Sequence, residues 1–120
     1  MKKEKVELGL ACENQIRGIK DTTELLNGKW KILIISHLYY NGSLRFMDLK
    51  RQLESVSSKV LSKELKDLEM NKLLKRTVID TTPIAVEYEL TGSGKRLYPV
   101  VRAMAKWGMT YRDEIRAEDT

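Results

Sequence analysis

Between positions 57 and 66 the chain carries Ser57, Ser58, Lys59, Ser62, Lys63 and Lys66. Separations of three and four residues put most of these on one side of a helix. Small hydroxyls and flexible ammonium groups on one helix face suit a polyanion. The backbone can approach closely, the lysines neutralise phosphates, and the serines reach phosphate oxygens or base edges. Leu61, Leu65 and Leu68 recur on the opposite side, as a helix anchored on a core requires.

Further cations lie to either side. Arg45 precedes Phe46, the only phenylalanine, and is read as a phosphate contact in preference to a clasp on a carboxylate such as Glu69. Lys75 and Arg76 open an alternating run. Strand alternation allows only one of them to face the polar set, so both stand as candidates. Residues 57–80 hold six cations against Glu64, Asp67, Glu69 and Asp80, a net of +2, so this is no basic tract. What counts is that the cations at the helix start are unopposed on its outer face.

Other chemistries find little support. Cys12 is the only cysteine, so no disulfide can form within the chain. It is the candidate redox sensor, but Glu13 beside it opposes thiolate formation, which Arg17 and Lys20 would favour. One His, His37, with one Cys makes no convincing zinc site. No phosphate-binding glycine loop or nucleophile elbow is present, so neither an enzyme nor a cofactor is expected.

The elements that must position these residues follow from periodicity. Ile16, Ile19, Thr23 and Leu26 predict a first helix, ended by Asn27-Gly28. Residues 29–40 form a helix apolar nearly all round (Ile32, Leu33, Ile34, Ile35, Leu38), hence central. Leu44-Arg45-Phe46 is one extended step, followed by a short helix to Leu53. Ser57 is the expected N-cap of a helix over 58–71. The period then changes to two over 74–79 and 86–90, two strands joined by a Thr/Pro loop. A last helix is predicted over 93–116.

Leu97, Val101, Met104, Gly108, Tyr111 and Ile115 are spaced by four and three in that last helix, with Trp107 widening the seam. A small chain can hardly cover so long an apolar stripe, and an uncovered stripe is an association site. These residues, with Ile16 and Ile19, are the expected homodimer interface. A two-fold dimer would set two recognition helices one DNA turn apart, roughly 34 Å.

The chain has 120 residues, 42% apolar and 32% charged, which fits one domain with a modest core. The surplus of 22 Lys and Arg over 17 Asp and Glu gives +5, compatible with nucleic acid but weak as an argument. No apolar run is long enough to span a bilayer, and a cytoplasmic location is expected.

The order helix, helix, short helix, helix, hairpin, long helix is that of a winged helix-turn-helix. The fold class is mainly α with a small β-hairpin (α+β). The sequence resembles the HxlR-type transcriptional regulators within the wider MarR-like group. The matching stretches are Gly28-Lys29-Trp30, Leu44-Arg45-Phe46-Met47-Asp48-Leu49, the run Val56 to Glu69, Pro83 with Val86 to Thr91, Pro99-Val100 and Trp107-Gly108. The resemblance implies a small bacterial, homodimeric DNA-binding regulator, dimerised through its terminal helices, with a small molecule or redox signal as candidate effector. Family members often carry a Cys-Pro pair closer to the tryptophan. Here Cys12 is followed by Glu13 and lies farther upstream of Trp30, so the cysteine's role does not carry over directly. In Asn71-Lys72-Leu73 a glycine commonly precedes the leucine, and Asn tolerates the same left-handed cap. The expected organisation is a flexible segment 1–11, the domain 12–117 and a tail 118–120. The competing reading is a winged-helix module that binds protein. It would expose apolar anchors where this chain exposes Ser and Lys.

Overall fold

The computed structural model describes the backbone of residues 2–119 and the side chains of residues 9–118. Met1 and Thr120, at the far ends of the expected leader and tail, lie outside the described residues. The element order is α1 (Lys2–Leu25), α2 (Lys31–Asn41), β1 (Ser43–Arg45), α3 (Phe46–Leu53), α4 (Ser58–Met70), β2 (Leu74–Ile79), β3 (Ala85–Leu90), α5 (Gly92–Lys95) and α6 (Tyr98–Asp119). The segment expected to be flexible is helical from Lys2 onward. It is rich in Lys, Glu and Leu, good helix formers, and no proline interrupts it. Among the described residues no helix is long and apolar enough to cross a membrane.

The core forms where the apolar sides of α2, α3 and α4 meet the sheet. Ile34, Ile35 and Leu38 of α2, Leu49 of α3, and Leu61, Leu65 and Leu68 of α4 are almost completely buried. Each helix ends for a local reason. Gly42 takes φ +84° after α2, and its N–H bonds to Leu38 O at 2.9 Å. Ser57 caps α4 as expected, its Oγ accepting from Val60 N–H at 3.1 Å.

The sheet has three strands in the order β1-β3-β2, all antiparallel. The expected hairpin is present, but the extended step read at 44–46 is a third strand shifted to Ser43–Arg45, with Phe46 opening α3. It pairs Ser43 to Glu89, Leu44 to Tyr88 and Arg45 to Glu87. Three residues are too few to show alternation, so only the long-range ladder reveals them. The hairpin register pairs Arg76 with Tyr88 and Lys75 with Glu89.

The predicted terminal helix is interrupted. α5 ends at Lys95 and α6 starts anew at Tyr98. Pro99 has no N–H to give a helix interior and is tolerated only in a first turn, so a new helix starts beside it. The break turns Leu97 and Val101 inward. Val101 is buried, and Leu97 packs against the core of its own chain. Both were expected in the dimer interface. With its surface already covered, Val101 has little left to offer a partner.

Gly94 fixes how α5 sits on the sheet. A Cβ there would collide with the Leu73 carbonyl oxygen and lie 3.2 Å from Leu90 Cδ2. Thr91 holds the same junction, accepting from Gly94 N–H at 3.1 Å and donating to Lys72 O at 2.7 Å. Gly94→Ala is therefore expected to destabilise the fold by about 1–3 kcal/mol, as overpacking against backbone does. Urea unfolding of the variant measures it, and an unchanged midpoint would contradict the packing described.

Candidate nucleic-acid interface

The face of α4 opposite its leucines carries Ser58, Lys59, Ser62, Lys63 and Lys66, all exposed. Leu61, Leu65 and Leu68 hold the other side in the core, so the polar face must turn outward. Ser57 stands at the same end, but its oxygen is engaged in the cap. Only its hydroxyl proton remains for a phosphate.

Two of the four acids that kept this segment nearly neutral are turned away. Glu64 and Asp67 lie on the flank of α4 toward α2, where Lys31 Nζ meets Glu64 Oε2 at 2.6 Å and Asp67 Oδ2 at 3.4 Å. Asn27 Oδ1 accepts from the same ammonium at 3.1 Å. Burial alone would lower the Lys31 pKa. The hydrogen bond and charge of Glu64, then those of Asp67, more than offset this and hold it above the ordinary 10.5. The outer face of α4 is thus more cationic than the segment sum suggests.

The register decides between the two candidates at the wing base. Cross-strand partners share a face, and Tyr88 is buried on the helix side of the sheet, so Arg76 faces that side too. Arg76 and Tyr88 line a groove with Ser62, Lys66, Glu69 and Met70, between α4 and β2. Lys75, opposite Glu89, belongs to the other face. Arg45 stands opposite Glu87 in the ladder, so it too lies on the face away from α4, and its nearest carboxylate along the sheet is not Glu69. The structure therefore gathers Ser58, Lys59, Ser62, Lys63, Lys66 and Arg76, and leaves Arg45 and Lys75 apart. Beyond Arg76 the wing carries no cation as far as Leu90, only Asp80, Glu87 and Glu89.

The remaining candidates fall elsewhere. Cys12 is exposed on α1. His37 Nδ1 lies 2.9 Å from Gln52 Oε1, which also accepts from Asn41 Nδ2 at 3.1 Å, so the ring joins a network between α2 and α3. Ile16, Ile19, Met104, Trp107, Tyr111 and Ile115 are exposed along α1 and α6, and Gly108 is half-buried. Trp107 and Tyr111 stack with centroids 5.0 Å apart. A groove of about 860 Å³ runs between α1, the start of α2 and α6, lined by Gly18, Ile19, Leu26, Ile32, Val100 and Met104 among others. Sequence reasoning missed Lys31. The available signal was a lone lysine opening an apolar helix, with two acids three residues apart on another.

Residues 25–116 match the HxlR-like helix-turn-helix family. Among curated proteins, the uncharacterised HTH-type transcriptional regulator YdzF of Bacillus subtilis (strain 168) is 37% identical over 98 residues, covering 82% of this chain and 90% of that protein. YvaP of the same organism is 40% identical over 90 residues, covering 75% and 82%. Among solved structures, the redox regulator HypR in its reduced form superposes with a TM-score of 0.76 at 32% identity, covering 83% of this chain and 98% of that one. The reduced form of the transcriptional regulator YodB from B. subtilis gives 0.67 at 34% identity, covering 75% and 87%.

Proposed function

The chain belongs to the HxlR-like helix-turn-helix family of transcriptional regulators, not enzymes, and from that premise we propose that it acts as a homodimer on a pseudo-palindromic DNA operator. One observation carries the DNA-binding part. The outer face of α4 exposes small hydroxyls and cations over its first turns, with Val60 the one exposed apolar residue beside them, and Glu64 and Asp67 are drawn toward Lys31. α4 enters the major groove, which admits one helix. Lys59, Lys63, Lys66 and Arg76 neutralise phosphates, while Ser58 and Ser62 allow close approach.

The dimer forms through the groove between α1 and α6 and the apolar residues beside it: Ile16, Ile19, Met104, Trp107, Tyr111 and Ile115. A contiguous apolar surface of this kind is an association site. The protein works in the cytoplasm, where its operator is. Its input is a small molecule or a redox signal. Likeness to the redox regulator HypR supports the second, through exposed Cys12. With one cysteine per chain, any disulfide joins two subunits or a small thiol.

Selection of genome fragments with the purified protein, with and without a thiol oxidant, tests the reading. It is expected to return one two-fold-related site in place of random duplex. Lys59→Ala and Lys63→Ala should each lower the salt slope by about 1 per contact removed, hence about 2 per dimer, and weaken all duplexes alike. Their unfolding should stay within about 0.5 kcal/mol of wild type. Leu65→Ala should instead lose about 2–5 kcal/mol of stability. Equal loss of folding in all three would refute the assignment of faces.

A further inference from the structure

Among the described residues, the charged side chain in the buried set is Lys31, 4% exposed. Its ammonium meets three oxygens from two places. Asn27 Oδ1, at 3.1 Å, belongs to the corner between α1 and α2, while Glu64 Oε2 and Asp67 Oδ2 belong to α4. Asn27 and Gly28 also line the groove that faces Val100 and Met104 of α6. One lysine thus joins the wall of the dimerisation groove to the flank of the helix that reads DNA.

Stability does not account for this arrangement. Taking a lysine and a carboxylate out of water is costly, and apolar residues of similar volume hold two helices together as well or better. An ion cluster adds definition. A leucine face tolerates small rotations of its partner, whereas an ammonium with its donors spent on defined acceptors does not. No buried side-chain nitrogen or oxygen is left without a partner among the described residues, so the cluster is complete as it stands.

Small rotations matter here because of leverage. In a two-fold dimer with recognition helices roughly 34 Å apart, each helix stands roughly 17 Å from the axis. At that radius a tilt of about 10° moves the helix by roughly 3 Å, close to the ~3.4 Å step between base pairs. Resting on the dimeric reading above, we infer that Lys31 is a positioning residue for DNA recognition. It locks α4 to the dimerisation arm and so fixes the half-site spacing that the dimer accepts.

The test uses the full chain and the duplex recovered by genome-fragment selection, together with duplexes whose half-sites are moved by one or two base pairs. Two variants are compared with wild type. Lys31→Met/Glu64→Leu removes both charges and leaves no unpaired buried carboxylate, while Asp67, 40% exposed, stays solvated. Glu64→Gln keeps an acceptor for Lys31 and removes one charge, and supplies the comparison in a background close to wild type. On a one-base-pair shift, wild type should lose about tenfold or more, on the scale of a mismatched pair, and the double variant under about threefold. Glu64→Gln should fall between them. A variant that folds and keeps the wild-type discrimination overturns the proposal, as does one that weakens binding at every spacing by the same factor. A wild-type protein with no spacing optimum overturns the dimeric operator reading itself, before any substitution is made.

Discussion

Binding to the recovered operator is expected to weaken by about 10³–10⁵-fold as monovalent salt rises from about 50 to about 200 mM. The expectation follows from counting cations by face. Lys59, Lys63, Lys66 and Arg76 stand exposed on the α4 side of each subunit, so a dimer offers eight. Each neutralised phosphate contributes about −0.9 to the slope of log affinity against log salt, giving about −7 for eight contacts. A fourfold rise in salt at that slope costs about 10⁴-fold, inside the range above. Arg45 and Lys75 would steepen the slope toward −11 if they also reached phosphates, but the sheet register turns them away. A filter-binding or fluorescence titration across the salt series reads the slope directly. A flat response would remove DNA as the partner of this face. A slope near −11 would show that the two outlying cations take part.

The second large effect is on folding. Lys31→Met is expected to cost about 3–5 kcal/mol, because it leaves the carboxylate of Glu64 buried without its counter-charge. Glu64 is only 13% exposed and cannot recover its hydration without opening the α2–α4 contact. The cost should be largely relieved in Lys31→Met/Glu64→Leu, which has no orphaned charge. A single variant as stable as wild type would mean that water reaches Glu64 freely. The pH dependence has a definite sign. Because the folded-state pKa of Lys31 lies above 10.5, its contribution is fully present below 10.5 and is lost as pH rises through the raised value. From neutral pH upward the stability gap between wild type and Lys31→Met should therefore stay constant and then narrow in strong alkali. Urea midpoints of the pair across that range give the comparison.

Much of this was legible in the sequence because it is local. Ser57 as the α4 cap, the leucine side of α4, the period change after Asn71 and the polar outer face all follow from spacing within a few residues. What escaped is settled by contacts between distant segments. The Lys31 position reads as an ordinary first-turn lysine, and only the approach of α4 buries it. The four-three spacing of Leu97 and Val101 marks an apolar stripe but does not say whose core receives it. The helix break beside Pro99 decided that. Alternation showed that Lys75 and Arg76 face opposite ways, and the pairing of Arg76 with Tyr88 was needed to choose between them. The strand at 43–45 is too short for any pattern, and it exists because β3 has an edge to offer.

The strand order leaves β2 with one side unpaired along Leu74–Ile79. A row of open N–H and C=O groups is a template for the same strand of another molecule, and its outer half, with Val78 half-exposed, offers a sticky continuation. Lys75 and Arg76 stand on opposite faces at the root of that edge, so two copies that tried to join there would bring like charges together on both sides. Beside its proposed attraction to a polyanion, Arg76 thereby opposes the fibre-like stacking that an uncharged wing would invite.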